Sequence, residues 1–294
     1  MERNKKIIIG GGISGLLKAY YDKEAILITE RIGGQLKAPF QLGPKYFHVD
    51  EYTKRFLSEI GFCSQEITIK KVKIGFFYDN SLHDVNTEKN RKLYFEKTRG
   101  ENEIYRSSMS AGASEFDSFD IDINEIIDIL KDGIKDRIIL GKIENINSLR
   151  KEITVEGKKY KYEKLISTIP LNTFLTLNNK LSIAKEYKSY PTTFIQCSTD
   201  IKEEFKKYDY IYYSEPHFLF HRVTKVGSYT VLEFKGDNIG IWENEIDRFV
   251  LKTGQLIQND IKISLGHIEF FGRYSTWDHS ILINTLLKQI YGTK

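Results

Sequence analysis

Hydrophobic and polar positions change period along the chain, and each change marks an element. Lys6 to Ile9 is a short apolar run of strand type, the glycines after it make a tight turn, and Leu16 to Asp22 has helix-forming composition. Ala25 to Thr29, AILIT, follows as a second strand. Tyr52, Phe56 and Ile60 recur every four residues and predict a helix that Gly61 stops. Residues 67–78, ITIKKVKIGFFY, are β-branched and aromatic and predict a strand, whereas the charged run TEKNRKLYFEKTRGENE at 87–103 predicts a loop. DINEIIDILKDGI at 122–134 places Ile123, Ile126, Ile127, Leu130 and Ile134 on one side of a helix, with Asp122 and Glu125 in a capping pattern. Residues 137–174 predict a strand, a hairpin and a strand. Three strand-like runs between 176 and about 263, TTFIQCSTD, YIYYSEPHFLFHRVT and SYTVLEFKG, predict an antiparallel sheet. The chain closes on a helix whose stripe is Leu282, Leu286 and Ile290, widened by Ile283 and Leu287. It is expected to begin just after Gly272-Arg273, with Asp278 or Ser280 as its cap.

The first of these elements supports two incompatible readings. KKIIIGGGISGLLKAYY, residues 5–21, could be the front of an export signal, but its apolar core runs into Lys18, Tyr20, Tyr21, Asp22 and Lys23 rather than into small residues. As strand, turn and helix it carries Gly10-x-Gly12-x-x-Gly15. Glycines there let the backbone approach a pyrophosphate without Cβ clashes, and the helix N-terminus adds unpaired N–H groups and partial positive charge. The second strand ends in Glu30, twenty residues after Gly10, the spacing at which a carboxylate accepts hydrogen bonds from a ribose. Dinucleotide binding is the expectation.

Composition narrows the class. Hydrophobic residues at 40% and aromatics at 13% suit a folded globular chain of one large domain or two smaller ones. No apolar stretch reaches the roughly 18 residues of a membrane span. Lysine and arginine exceed the acids by only 44 to 40, with the signs interspersed, which argues against nucleic acid as the partner. Cys63 and Cys197, the only cysteines, form neither a CxxC nor a paired framework, so buried thiols in a reducing, cytoplasmic setting are expected.

ERIGGQLK, residues 30–37, resembles the second FAD fingerprint of the amine oxidase-like flavoproteins, an acid followed shortly by Gly-Gly, here with the short linker Arg31-Ile32. GPKYFHVDEYTKRFLSEIG (43–61) is similar to the segment of UDP-galactopyranose mutases and related oxidoreductases that passes beside the flavin. Residues 137–174 end in STIP, like the family's return to the FAD domain, and IEFFGRYSTWDHSILINTLLKQI (268–290) resembles its closing strand, Gly-Arg turn and helix. The chain thus resembles the FAD-dependent amine oxidase-like superfamily, of protoporphyrinogen oxidase and UDP-galactopyranose mutase type, in a shortened form. The resemblance implies an α/β fold: a discontinuous Rossmann-like (GR2-type) FAD-binding domain at 1–66, 119–175 and 264–294, and an α+β substrate domain on an antiparallel sheet at 67–118 and 176–263. It implies cofactor contacts from Gly10, Gly12, Ile13, Ser14, Gly15, Glu30, Arg31, Gly33, Gly34 and Gln35. Further contacts are implied from Gly43, Pro44, Lys45, Tyr46, Ile143, Thr168, Gly272, Arg273, Trp277, Asp278, His279 and Ser280.

Candidate reactive groups are fewer. His217 and His221, four apart on an expected strand, would share a face but lie roughly 13 Å apart, too far for one ion, so no metal is expected. Ser14 lacks the second glycine of a nucleophile elbow. Arg222 in FHRVT resembles a mutase arginine near flavin and substrate diphosphate. Lys188 stands at what looks like another arginine position, where a lysine gives up two-pronged phosphate recognition. His48 is a candidate at the cofactor edge, and Tyr213 and Tyr274, with Tyr212, could line a pocket. The expected activity is hydride transfer from a small-molecule amine or alcohol to flavin N5. Two alternatives stand beside it: a flavin-dependent isomerase of a nucleotide sugar, with a phosphorylated or nucleotide-linked substrate, and a flavin-binding protein without catalysis.

Overall fold

The structure, a computed structural model, describes residues 3–42, 46–62, 67–99, 113–198, 205–257, 263–278 and 280–292. The chain opens with β1 (Arg3–Gly11), α1 (Ile13–Tyr21) and β2 (Ala25–Ile32), then β3 (Phe47–His48) and α2 (Glu51–Glu59). β4 (Ile69–Tyr78), β5 (Ser81–His83), α3 (Glu88–Arg99), β6 (Glu115–Phe119) and α4 (Ile123–Asp132) follow. β7 (Ile138–Leu140), β8 (Ile143–Asn147), β9 (Glu152–Val155) and β10 (Lys158–Ser167) lead to the short helices α5 (Leu171–Leu177) and α6 (Leu181–Ala184). The remainder is β11 (Ser189–Cys197), β12 (Tyr210–Tyr213), β13 (Phe220–Val226), β14 (Tyr229–Lys235), β15 (Glu245–Leu256), β16 (Ile268–Phe270) and α7 (Ile283–Gly292). No helix among the described residues is long and apolar enough to cross a membrane.

The fold is mixed α/β, built on two sheets. The first has the order β7-β2-β1-β10-β9-β8, with β16 also on β10. β1 pairs in parallel with β2 and β10, so Ile7 stands opposite Ile26 on one side and Leu165 on the other. Both faces are covered, which is why β1 reads as an unbroken isoleucine run. Ile8 packs under α1, α2, α4 and α7, while Ile7 and Ile9 face the cluster of Phe174, Tyr162 and Trp277. Ile7, Ile8 and Ile9 are each fully buried, which stabilises the fold by about 2 kcal/mol per side chain. Asp50 caps α2 by accepting from Thr53 N at 2.7 Å, and Asp122 caps α4 through Asn124 N. Gly61 ends α2 at φ +94°.

The second sheet has the order β15-β11-β14-β13-β12-β4-β6-β3, with β5 on β4. It is antiparallel except where β12 runs parallel to β4. Strands from 47–119 therefore join the same sheet as those from 189–256, and β3, drawn from the first 66 residues, lies at its edge. Cys197 is buried, and burial pushes its thiol up to about 11; Cys63 lies outside the described residues.

Two sequence expectations are overturned. The charged run after Thr87 is helix α3, not loop. Its inward stripe is Asn90, Tyr94, Phe95, Thr98 and Arg99, mostly polar side chains that hydrogen-bond inside the protein, so hydropathy conceals the amphipathic period. The closing helix starts at Ile283, well after Gly272-Arg273 and a few residues past the expected caps Asp278 and Ser280. Gly272 is left-handed, its carbonyl accepts from Ser275 N and Thr276 N, and Trp277 is itself at φ +58°, so 272–278 coil into turns before the helix can begin. Leu282 falls outside the stripe, which is Leu286, Leu287, Ile290 and Tyr291.

Candidate cofactor and active site

The β1–α1 turn is packed tightly against itself and against its neighbours. A Cβ on Gly15 would overlap the Gly10 carbonyl oxygen, and one on Gly10, at φ +102°, would lie 2.6 Å from Thr168 Oγ1. Thr168 braces the turn by donating from Oγ1 to the carbonyls of Ile9 (2.9 Å) and Gly10 (3.0 Å). Gly12 differs: a Cβ there meets nothing within 4 Å. Gly12 is the N-cap of α1, so no side chain competes for the helix's first N–H groups, and no acidic residue stands in the first turn. Gly33 and Gly34 are left-handed, and a Cβ on Gly34 would come 3.1 Å from Gly12 Cα. On the other side Gly272 abuts the Ser14 side chain. The glycines of 10–15, Gly33, Gly34 and Gly272 therefore let these segments approach closely, and Gly12 faces open space. Glu30 and Arg31 are exposed at the end of β2, and Gly141 N donates to Thr29 O, which brings the start of β8 with Ile143 alongside. An anionic dinucleotide fits this cradle: helix N-terminal N–H groups for a pyrophosphate, an exposed carboxylate for a ribose, and open space at Gly12.

A second constellation lies on the sheet that faces it. β13 carries a bulge: Phe220 opposes Phe234 and Arg222 opposes Glu233, so two residues, His221 and Arg222, confront one. Both reach Glu233. Arg222 Nη2 pairs with Oε2, and His221 Nε2 lies 3.1 Å from Oε1. His221 is 2% exposed, with the Gln255 amide at 3.3 Å and the Tyr94 ring edge-on at 6.0 Å. Burial alone would lower the Arg222 pKa, but the Glu233 carboxylate more than offsets it. Burial would likewise raise Glu233, yet Arg222 and then His221 bring it down to about 2. Tyr46, Tyr94, Tyr210 and Tyr212 surround the guanidinium; burial raises the first three, and Arg222 opposes that rise. Arg273 completes the locus: burial lowers its pKa, and the like charge of Arg222 adds to the effect.

Glu233 has a consequence for acid stability. Its folded pKa lies below the ordinary 4.5, so the stabilisation is fully present above pH 4.5 and is lost as pH falls through about 2. A loss of a few kcal/mol over that window is expected. Denaturant midpoints measured from pH 5 to pH 2 should show it, and Glu233→Gln should flatten this part of the profile.

Tyr274 links the constellations. Its hydroxyl donates to Gln35 Oε1 at 3.2 Å, beside the glycine pair, and lies 3.5 Å from Gly254 O in β15. Tyr274 thus spans from Gln35 at the cradle to β15, and its neighbour Arg273, which feels the charge of Arg222, extends this wall toward β13. The other expected site residues fall elsewhere. Tyr213 points to the opposite face from Tyr212 and Arg222, into the rings of Phe77, Phe218 and Phe220, because side chains alternate along β12. Lys188 is exposed at the head of β11, and the structure does not bring it into the constellation. His48 is half-buried against the Phe116 ring at 4.5 Å, one ring removed from Tyr46, and burial lowers its pKa against the pull of Asp50. Trp277 packs on Tyr187 and donates its indole N–H to Ile257 O at 2.8 Å. Asp278 accepts from Ser280 N and Oγ, closing a local turn. Gly43, Pro44, Lys45 and His279 lie outside the described residues. His217 is not on a strand at all; it sits in the turn before β13, 3.5 Å from Glu215. No three His, Cys, Asp or Glu residues among those described converge as metal ligands would.

Glu233 and Tyr94 were not identified from the sequence. Glu233 did leave a signal, being the one charge inside the apolar run TVLEF. Tyr94 was concealed by the loop assignment.

No protein-family model and no curated protein matches the sequence. Solved structures do match the fold. A reduced UDP-galactopyranose mutase superposes with TM-score 0.72 at 13% identity, over 100% of this chain and 95% of its own. A putrescine oxidase bound to putrescine gives 0.63 at 8%, over 99% and 98%. A putative protoporphyrinogen oxidase from Exiguobacterium sp. 255-15 gives 0.63 at 11%, over 100% and 98%. At these identities the likeness is one of architecture: the chain shares the mixed α/β fold of these solved structures.

Proposed function

We propose that this chain binds FAD and acts as a flavin-dependent oxidoreductase on a small molecule held beneath the second sheet. The observation that carries the proposal is Gly12: the one glycine of the turn whose missing Cβ faces open space, with a second bare segment, Gly33-Gly34, brought against it. Close packing of the chain requires Gly10 and Gly15, whereas the opening at Gly12 suits a pyrophosphate. A second glycine pair past the ribose acid favours FAD over a nicotinamide dinucleotide. In this reading residues 1–66, 119–175 and 264–294 provide the cofactor-binding part, and 67–118 and 176–263 the substrate part.

When bound, FAD supplies a hydride acceptor. The chain's own residues then have separable tasks. The glycines and the α1 N-terminus hold the pyrophosphate, and Glu30 accepts from the ribose. Arg273 and Arg222 set a positive potential between cradle and sheet, and the tyrosines exclude water around it, which strengthens each charge. The visible spectrum of the purified protein, with the released cofactor identified, is the test. Flavin bands and FAD are expected; a nicotinamide nucleotide, or none, overturns the reading.

One observation favours a second reading of the chemistry. Arg222 and Arg273 lie close enough for their like charges to oppose each other, and the hydroxyls of Tyr46, Tyr94, Tyr210 and Tyr212 gather around Arg222. That suits a diphosphate or carboxylate better than an alkylammonium ion, and fits a nucleotide-sugar isomerase better than an amine oxidase. A UDP-sugar that perturbs the flavin spectrum would support the isomerase; amines that bleach it without oxygen would support the oxidase.

A further inference from the structure

We infer that His221 is a positioning residue, a neutral hydrogen-bond donor that fixes the Glu233 carboxylate and, through it, the direction and effective charge of Arg222. The inference deepens the proposed function and rests on it only where flavin enters. The β13 bulge is its geometric basis. In a regular strand consecutive side chains point to opposite faces, so one residue of the pair would have turned away. The bulge instead lets His221 and Arg222 approach one carboxylate from the same strand, each taking one oxygen. An acid held by both oxygens cannot rotate. Held by Arg222 alone, it could swing between one-pronged and two-pronged pairing, and the guanidinium would swing with it.

The charge state follows from the surroundings. His221 is closed off by Glu233 from β14, Gln255 from β15, Arg222 on its own strand, and Tyr94 with Lys97 from α3. Burial lowers its pKa, and the cations Arg222 and Lys97 add to that against the pull of Glu233. In the Nε2–H tautomer the ring donates to Glu233 without adding charge, and Gln255 Nε2, itself a donor 3.3 Å from the same ring nitrogen, takes no hydrogen bond from it. Arg222 is left paired to an acid whose second oxygen is already engaged, with Tyr46, Tyr210 and Tyr212 close enough to interact with its charge.

Packing and donation make opposite predictions for two variants. His221→Gln keeps an amide N–H near the Nε2 position; His221→Leu fills the volume and removes the donor. If His221 positions Glu233, the carboxyl carbon of Glu233, followed by NMR in the full-length protein, titrates about one pH unit higher in His221→Leu and returns to the wild-type midpoint in His221→Gln. Flavin reduction at matched flavin content falls roughly tenfold in the Leu variant and recovers in the Gln variant. The opposite ordering, with Leu matching wild type in both readouts and Gln impaired, overturns the inference and makes His221 a space-filler. The carboxyl titration needs no flavin, so a protein that proved not to bind FAD would still decide the role of His221. If the Leu variant does not fold, Gln alone decides: a wild-type Glu233 midpoint supports the inference, and a raised one overturns it.

Discussion

Gly12→Val is expected to yield folded, colourless protein. The usual difficulty with a glycine substitution in a nucleotide-binding turn is that the fold fails with the site, so loss of cofactor shows nothing. Here the turn separates the two effects. A Cβ on Gly15 would overlap the Gly10 carbonyl oxygen and one on Gly11 would press on Arg31 O, so changes there disrupt β1 and α1 before any ligand is involved. At Gly12 the backbone has φ −71°, which any residue adopts, and an added Cβ meets no protein atom within 4 Å. The branched side chain is directed into the space assigned to the pyrophosphate. The thermal midpoint of Gly12→Val should match wild type within a few degrees, an effect of about 0.5 kcal/mol. Flavin content should drop to background. A folded variant that retains its flavin would remove Gly12 from the cradle, and with it the central observation for a dinucleotide site.

The cradle was legible because the chemistry of close approach is written in residue type and spacing. A short buried strand, glycines at 10, 12 and 15, and an acid at 30 leave few alternatives, and the elements built on Ile7, Ile8 and Ile9 follow the same local rules. The sheet constellation was only half legible. Arg222 stood out by its likeness to a mutase arginine, but its partner Glu233 and neighbour His221 depend on a bulge, and no sequence period announces a bulge. Alternation along β12 likewise decides which tyrosine faces the site, and a reading that cannot fix register cannot choose between Tyr212 and Tyr213. α3 was missed for a third reason. Hydropathy detects apolar stripes, and this helix turns Asn90, Tyr94, Thr98 and Arg99 inward. Asn90 hydrogen-bonds Ser214 and Arg99 hydrogen-bonds the Leu256 carbonyl, so its packing is polar and leaves little amphipathic signal.

Arg222→Ala should have two effects that a single variant would confound. Removing the guanidinium strands an ionised Glu233 in the interior, which typically costs about 3–5 kcal/mol, a large part of the roughly 5–15 kcal/mol that holds a domain together. The Glu233 carboxyl, no longer held near 2, would rise, and the stability lost between pH 4.5 and pH 2 in the wild type would largely disappear. Loss of a preorganised charge from a water-poor site should separately lower flavin reduction by on the order of a hundredfold or more. The double variant Arg222→Met with Glu233→Leu distinguishes the effects. Replacing a whole buried ion pair by apolar groups of similar size is often neutral for stability, so it should melt near wild type and keep its flavin, whose proposed cradle lies at 10–15 and 30–35. It should nevertheless stay as slow as Arg222→Ala in single-turnover reduction. Recovery of stability without recovery of rate assigns the charge to the chemistry. Near-normal kinetics in the double variant would leave the Arg222–Glu233 pair as an internal brace of the second sheet and move the reacting centre elsewhere along the wall.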